Sequence, residues 1–326
     1  MGDVVEEIRY SRKRFAELLG FSDADLTVAD GLEGLVERGG RRESYGPADL
    51  SAYRAALGVH PPRRAMRRQL FLNFKGGTGK TSLSSSYAYR LAEMGHRVLL
   101  LDLDSQGHAT KCVGLEGEEQ KYTLYDVLVK KLPISEAVIR TPLAELDLIA
   151  SNLRMSTIDL ALMPMSGREF KLRKALEEIA DRYDFVVLDA PPSFGLLNLN
   201  AIMASDDLFV PVLPDFLSFH GLKLLFETVH ELEEDLEHYL QHVTIVLNNF
   251  NPTTRIARES RQALEEHYGE YLAKTVVRQC TKFAQSSSEG TPIFAFDATS
   301  KGACDIQALI DEVMPRIAEK AQERSA

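Results

Sequence analysis

Cysteine is scarce in this chain: Cys112, Cys280 and Cys304 are the only three, and they lie far apart. That spacing excludes a disulfide framework and a Cys-x-x-Cys metal knuckle. No apolar run approaches the ~18–20 residues of a membrane-crossing helix. Met1–Arg14 is charged and has no apolar segment, so no secretory leader is expected. Basic excess is lacking as well, since 38 Lys and Arg face 48 Asp and Glu, a formal charge of −10. A protein that coats nucleic acid with its whole surface is thereby excluded, while a local basic patch is not. Internal repeats and low-complexity tracts are absent. A soluble, cytoplasmic chain is the expectation. Its 326 residues, 44% of them hydrophobic, suffice for one full core and a small second unit.

Charge is uneven along the chain. Residues 1–70 balance to +1 and residues 71–326 to −11. The first segment ends in Pro61-Pro62-Arg63-Arg64-Ala65-Met66-Arg67-Arg68, which reads as a basic linker whose arginines seek solvent or an anion. A boundary near residue 66 divides the chain into 1–66 and 67–326. Beyond it, apolar runs alternate with helical patterns. The runs are Leu70–Phe74, Val98–Leu103, Leu146–Ala150, Phe185–Leu188, Leu208–Leu213, Val243–Leu247 and Thr275–Val277. Most are nearly continuous in apolar residues, as strands buried on both faces of a parallel sheet are. Helical stretches fall at Lys80–Met94, Arg168–Asp181, Phe219–Leu240 and Thr254–His267. The alternation predicts a doubly wound, mostly parallel α/β sheet.

Asn73-Phe74-Lys75-Gly76-Gly77-Thr78-Gly79-Lys80-Thr81 follows a predicted strand and opens a predicted helix, the context of a phosphate-binding loop. Its glycines let backbone N–H groups turn toward phosphate oxygens, and the helix N-terminus adds partial positive charge. Lys80 is placed to reach the β- and γ-phosphates, and the Thr81 hydroxyl to ligate Mg²⁺. Phe74 occupies the first glycine slot of the ordinary pattern, and Lys75 is an additional cation. The run Val98–Leu103 ends in Asp102 and Asp104, which at i and i+2 point to one side where the chain leaves the sheet. Strand carboxyl ends are where open α/β sheets bind ligands. Phe185-Val186-Val187-Leu188-Asp189 has the form of a Walker B strand, with Asp189 as a magnesium-side carboxylate.

Together these segments resemble the deviant Walker A ATPases of the ParA/MinD family, with their K-G-G-x-G-K-T loop. The resemblance runs from about residue 69 to 317 and is best to the ParA/Soj branch. It implies a P-loop NTPase fold, with ATP and Mg²⁺ bound by Lys75, Gly76, Gly77, Thr78, Gly79, Lys80, Thr81 and Ser82. By the same resemblance Lys75 reaches the partner's phosphates across a nucleotide-sandwich homodimer. Asp104 positions the hydrolytic water, Asp102 stands nearer the metal's water shell, and Ser105 replaces a proline usual there. Asp189-Ala190-Pro191-Pro192-Ser193 matches the family's D-x-P-P-S. Asn248 or Asn249 reads an adenine edge. Non-specific DNA binding in that branch rests on scattered C-terminal cations, for which Lys274, Arg278, Lys282 and Lys301 are the candidates. Gln279 stands where an arginine is common.

The N-terminal segment carries Arg14–Ser22, which has the pattern of a helix–turn–helix, and Arg41–Leu50, similar to the wing and next helix of MerR-like winged-helix domains. Its expected recognition stretch, Asp23–Glu37, holds five acids and no Lys or Arg, which phosphate repels. Protein contact and DNA contact both stay open for it. The resemblance implies a ParA-like switch. In it an ATP-closed dimer binds a matrix such as nucleoid DNA, and a ParB-like or other partner stimulates hydrolysis to segregate or position a cargo. Alternatives are a nucleotide-gated transcriptional regulator acting through residues 1–60, and a MinD-like membrane ATPase. The tail Ile306–Ala326 disfavours the last, because Pro315 and mixed charges suit no basic amphipathic anchor.

Overall fold

The computed structural model describes residues 8–31, 44–215 and 217–323. Nine strands are described: β1 (Tyr10–Ser11), β2 (Ser44–Tyr45), β3 (Arg67–Phe71), β4 (Val98–Asp102), β5 (Ile139–Arg140), β6 (Leu146–Ile149), β7 (Phe185–Asp189), β8 (Asp207–Val212) and β9 (His242–Leu247). The longer helices are α1 (Arg12–Leu19), α2 (Asp23–Asp30), α3 (Pro47–Leu57), α4 (Lys80–Glu93), α5 (Lys171–Glu177), α6 (Leu196–Ala204), α7 (Leu217–Leu236), α8 (Arg255–Tyr268) and α9 (Lys301–Glu323).

Among these residues a seven-stranded sheet has the order β5-β6-β4-β7-β3-β8-β9. All its pairings are parallel except that of β5 with β6. The predicted doubly wound architecture is therefore the observed one. Every residue of β4, β7 and β8 is buried, which is why their sequences read as unbroken apolar runs. One face of the sheet packs Phe71, Leu100, Phe185 and Phe209 against α4 and α9. The other packs Leu70, Leu101, Leu188 and Val210 against α5, α6, α7 and α8. The chain leaves β3 for β4 on one side, and leaves β7 for β8 on the other, so order reverses around β3. A crevice opens at such a point, at the strand carboxyl ends.

Three expectations are corrected. Arg67 and Arg68 belong to β3, not to a solvated linker. Arg67 is buried and pairs with Asp207 at 2.5 Å, and Arg68 pairs with Asp206 at 2.8 Å. Arg64 lies over the Phe185 ring at 5.0 Å. The carboxylates that draw these arginines inward are about 140 positions away in sequence, where no local pattern can register them. Thr275–Val277 forms no strand ladder. Glu312 of α9 accepts from the Lys274 and Thr275 N–H groups at 2.9 and 2.8 Å, leaving isolated bridges from Leu272 to Ile245 and from Arg278 to Phe250. The short antiparallel edge strand β5 has no counterpart among the expected strands.

The N-terminal residues share one apolar cluster with the α4 side of the sheet, contributing Tyr10, Phe15, Leu26, Tyr45, Leu50 and Tyr53. Tyr45 stacks on Phe15 with ring centroids 4.0 Å apart. Arg12, buried, donates to Asp30 at 2.5 Å and to Asp23 at 2.6 Å, and Tyr53 donates to Asp30 at 2.6 Å. Asp30 therefore faces inward, and the acidity of α2 is in part internally paired. The expected recognition stretch is described only as far as Gly31, and Arg41-Arg42-Glu43 of the expected wing lie outside the described residues. No described helix is long and apolar enough to cross a membrane.

Candidate functional site

The chain turns from β3 into α4 through Leu72–Gly79. Asn73 shapes the start of this loop: its Nδ2 donates to the Pro211 carbonyl at 2.8 Å, and its Oδ1 accepts from the Lys75 N–H at 2.9 Å. Gly77 and Gly79 adopt φ of +73° and +89°, a left-handed backbone of the kind that gathers N–H groups around an anion. Gly76 and Gly77 are exposed there, whereas Thr78 is buried, with a hydroxyl that has no partner among the described residues. A Cβ on Gly79 would collide with the Asn248 amide nitrogen. That amide donates to the Thr78 carbonyl at 2.8 Å, so Asn248 braces the loop. Asn249 is exposed at φ +55° and, among the described residues, is the one of the two asparagines with an uncommitted side chain.

Lys80 opens α4 and is buried. Its Nζ donates to the Lys75 carbonyl at 3.1 Å, and burial lowers its pKa against the pull of Asp189 and Asp104. Thr81, on the same first turn, donates to Asp189 Oδ2 at 2.7 Å, and Ser84 one turn on donates to Oδ1 at 2.9 Å. Ser82 borders a small hydroxyl-rich cleft with Cys112, Ser286 and Ser287.

Asp189 ends β7 and lies beside Asp102, which ends β4. Both are fully buried. Burial and the charge of Asp189 push Asp102 up, and burial raises Asp189 despite its two hydroxyl donors. Asp102 accepts from the Thr110 N–H and hydroxyl, each at 2.8 Å, and from the Asp104 N–H at 3.1 Å. It fastens the loop that follows β4. Asp104 is half-buried and has one carboxylate oxygen engaged, by the Gln106 N–H at 3.0 Å.

Lys75 extends the other way. Its ammonium pairs with Asp215, past the end of β8, at 2.8 Å. The structure thus brings Lys75, Gly76, Gly77, Thr78, Gly79, Lys80, Thr81, Ser82, Asp102, Asp104, Asp189, Asn248 and Asn249 to one edge of the sheet. Sequence reasoning missed Asp215, Ser84, Thr110 and the bracing by Asn73. Of these only Asn73, at the strand–loop junction, carried a local signal.

The residues fit a nucleotide with its divalent cation. A left-handed glycine cradle, an orphan Thr78 hydroxyl and a lysine folded onto its own loop suit a polyphosphate. Among the described residues no cluster of three His, Cys, Asp or Glu could cage a metal. One hydroxyl facing one carboxylate is the protein share for Mg²⁺ that also takes water and phosphate oxygens.

Of the four C-terminal cations, Arg278 bridges to Phe250, directly after the two asparagines. Lys274 and Lys301 are exposed. Lys282 sits over the Phe296 ring at 5.3 Å. Arg278 is held by Asp305 at 2.7 Å. Arg255 and Arg258, at the start of α8, are exposed cations outside the expected set.

A family model described as "AAA domain" matches residues 66–242. The cell division protein PomZ of Myxococcus xanthus is 59% identical over 313 residues, covering 96% of this chain and 95% of that protein. The sporulation initiation inhibitor protein Soj of Bacillus subtilis is 32% identical, covering 71% of this chain and 91% of that one. Among solved structures, cobyrinic acid a,c-diamide synthase of Mycobacterium smegmatis, with ATP analog and magnesium, superposes with a TM-score of 0.69. It is 26% identical and covers 76% of this chain and 94% of that one.

Proposed function

Since the chain belongs to the ParA/MinD family of P-loop ATPases, we propose that it is an ATP-driven switch that positions a large cellular cargo. The observation that carries this reading is the pairing of two loop lysines with different partners. Lys80 is turned into the phosphate cradle, and Lys75 is turned away from it onto Asp215. Bound ATP with Mg²⁺ supplies a phosphoanhydride whose cleavage resets the switch. The N–H groups of Gly76, Gly77 and Gly79, with Lys80, bind its phosphate charge. Thr81 and Asp189 would hold the metal and its water, and Asp102 fixes the loop that carries Asp104. Asp104 orients the attacking water. Lys75 leaves Asp215 and crosses to the phosphates of a second copy, so that a homodimer forms only around ATP. Asn249 faces the base.

The dimer's matrix in this reading is non-specific DNA, bound through exposed cations that include Lys274, Lys301 and Arg255, and hydrolysis awaits a ParB-like or other activating partner. The extensive identity to a protein named for cell division favours a division-related cargo over a plasmid. Asp104→Ala tests the reading. Turnover is expected to fall by about 100-fold or more, while ATP binding and ATP-dependent doubling of the sedimenting mass persist. Unchanged steady-state turnover would overturn the assignment of Asp104, and absence of any ATP-dependent association would overturn the switch.

A further inference from the structure

Beyond Asp102 the chain turns through Leu103–Gly107 into the short helix His108–Cys112, which carries Thr110. Ser151 stands just past the end of β6. Asp102, Thr110 and Ser151 are all fully buried, and they meet. A threonine hydroxyl has one hydrogen to give and lone pairs with which to accept. The Ser151 N–H donates to Thr110 Oγ1 at 3.1 Å, and the Thr110 hydroxyl donates to Asp102 Oδ2 at 2.8 Å. The hydroxyl is therefore oriented from both sides. The Thr110 N–H reaches the same carboxylate oxygen, also at 2.8 Å. Asp102 Oδ1 is left for the Asp104 N–H, at 3.1 Å. Thr110 thus occupies one side of the Asp102 carboxylate and turns the other side toward the backbone of the loop.

The far end of that loop is held against the same neighbour. The Gly107 N–H donates to the Asp104 carbonyl at 2.9 Å. At φ +64°, Gly107 lies so near the Ser151 carbonyl that a Cβ would stand 3.0 Å from its oxygen. Asp104 is half-buried, with one carboxylate oxygen taken by the Gln106 N–H at 3.0 Å. Its side chain projects from a backbone that is pinned at both ends. Thr110 lies outside the phosphate loop Leu72–Gly79, and its polar atoms are spent on Asp102, on Ser151 and on closing its own helix.

We propose that Thr110 is a positioning residue for hydrolysis. Its hydroxyl, anchored on the end of β6 through Ser151, orients Asp102, and Asp102 places the backbone from which Asp104 meets the attacking water. This rests on the reading of Asp104 above and names the contact that aims it. A displacement of about 1 Å in such a group costs roughly 100-fold in rate. The phosphate contacts are untouched, so the loss falls on kcat and not on ATP binding.

Thr110→Val keeps the branched shape and removes the hydroxyl, whereas Thr110→Ser keeps the hydroxyl and removes a methyl group. Hydrogen exchange over residues 103–107 is read by mass spectrometry on the nucleotide-free full chain. The valine variant is expected to exchange there about tenfold faster, and the serine variant like the parent. With ATP and Mg²⁺, Thr110→Val is expected to lose about 10- to 100-fold in kcat, with the Kd for ATP and the ATP-dependent doubling of sedimenting mass unchanged. Thr110→Ser is expected to restore kcat. Added to Asp104→Ala, Thr110→Val is expected to lower the residual turnover no further, because residues that act as a unit are not additive. Unaltered kcat in Thr110→Val, a loss of ATP affinity matching its loss of kcat, or a further loss on top of Asp104→Ala overturns the proposal. So does a comparable loss of kcat in Thr110→Ser, an outcome that can be read even where the valine variant does not fold. Unchanged turnover in Asp104→Ala alone overturns the reading of Asp104 instead.

Discussion

Lys75 and Lys80 stand five positions apart in one loop, yet their environments assign them different electrostatic work. Lys80 is buried at a helix start between Asp189 and Asp104, where a polyphosphate would meet a cation already withdrawn from water. Replacing it with Ala is expected to weaken ATP binding by about 100-fold or more, measured by calorimetry. Lys75 is partly exposed and held by Asp215. Lys75→Ala is expected to bind ATP as a monomer at near-unchanged affinity and to fail to double its sedimenting mass. Equal loss of binding in both variants would remove the distinction. Gly79 makes a third, sterically defined case. Its φ of +89° and the close approach of Asn248 leave no room for a methyl group. Gly79→Ala is expected to abolish ATP binding, and thermal unfolding should register a loss of about 1–3 kcal/mol from the strained loop.

At the scale of elements, α4 connects the nucleotide to the N-terminal segment. Its first turn holds Lys80 and Thr81. Its last holds Glu93, fully buried, which pairs with Arg14 at 3.2 Å and Arg90 at 3.0 Å. The Glu93 carbonyl accepts from Arg54, whose guanidinium also faces Glu145 at 3.6 Å. The Tyr10 and Tyr89 hydroxyls meet at 3.0 Å. Arg54 is 1% exposed, so Arg54→Ala leaves Glu145 buried without its countercharge. A loss of about 3–5 kcal/mol is expected in denaturant unfolding. Within the segment, burial alone would raise Asp30, but donors from Tyr53, Arg12 and Tyr45 hold it below the usual carboxylate range. A depressed carboxylate stabilises the fold above its unfolded value of about 3.9, and the benefit is lost as pH falls through its lower folded value. Asp30→Asn is therefore expected to destabilise the chain at neutral pH and to flatten the acid limb of its unfolding profile below about pH 4. An unaltered acid limb would count against the Arg12–Asp30 pair.

At the scale of the whole molecule, the proposed DNA matrix has to be met by a chain of formal charge −10. Lys301 and Lys274 are exposed, while Arg278 is taken up by Asp305 and Lys282 by an aromatic ring. Lys301→Glu is expected to weaken ATP-dependent DNA binding and to make its salt dependence shallower, because each dimer then neutralises about two fewer phosphates. Arg278→Ala is expected to cost stability more than DNA affinity. DNA binding that survives Lys301→Glu and Lys274→Glu together, with its salt slope unchanged, would move the matrix contact elsewhere. Arg67 and Arg68 do not qualify as that site, because Asp207 and Asp206 neutralise them within the sheet.

The parts of this protein legible in its sequence are those whose chemistry is local. Apolar runs reveal buried parallel strands because both faces of such strands are covered. The glycine loop, Thr81, Asp104 and Asp189 are readable because each sits at a strand end or helix start that its own neighbours define. Tertiary structure alone decided what depends on distant partners. It drew Arg67 and Arg68 into β3, since paired charges escape the cost of burial. It turned Lys75 onto Asp215, set Asn248 against the loop backbone, and denied Thr275–Val277 a ladder by offering the carboxylate of Glu312. It also set Thr110 between Asp102 and Ser151, a meeting that no run of residues announces because its parts come from two strand ends and a short helix.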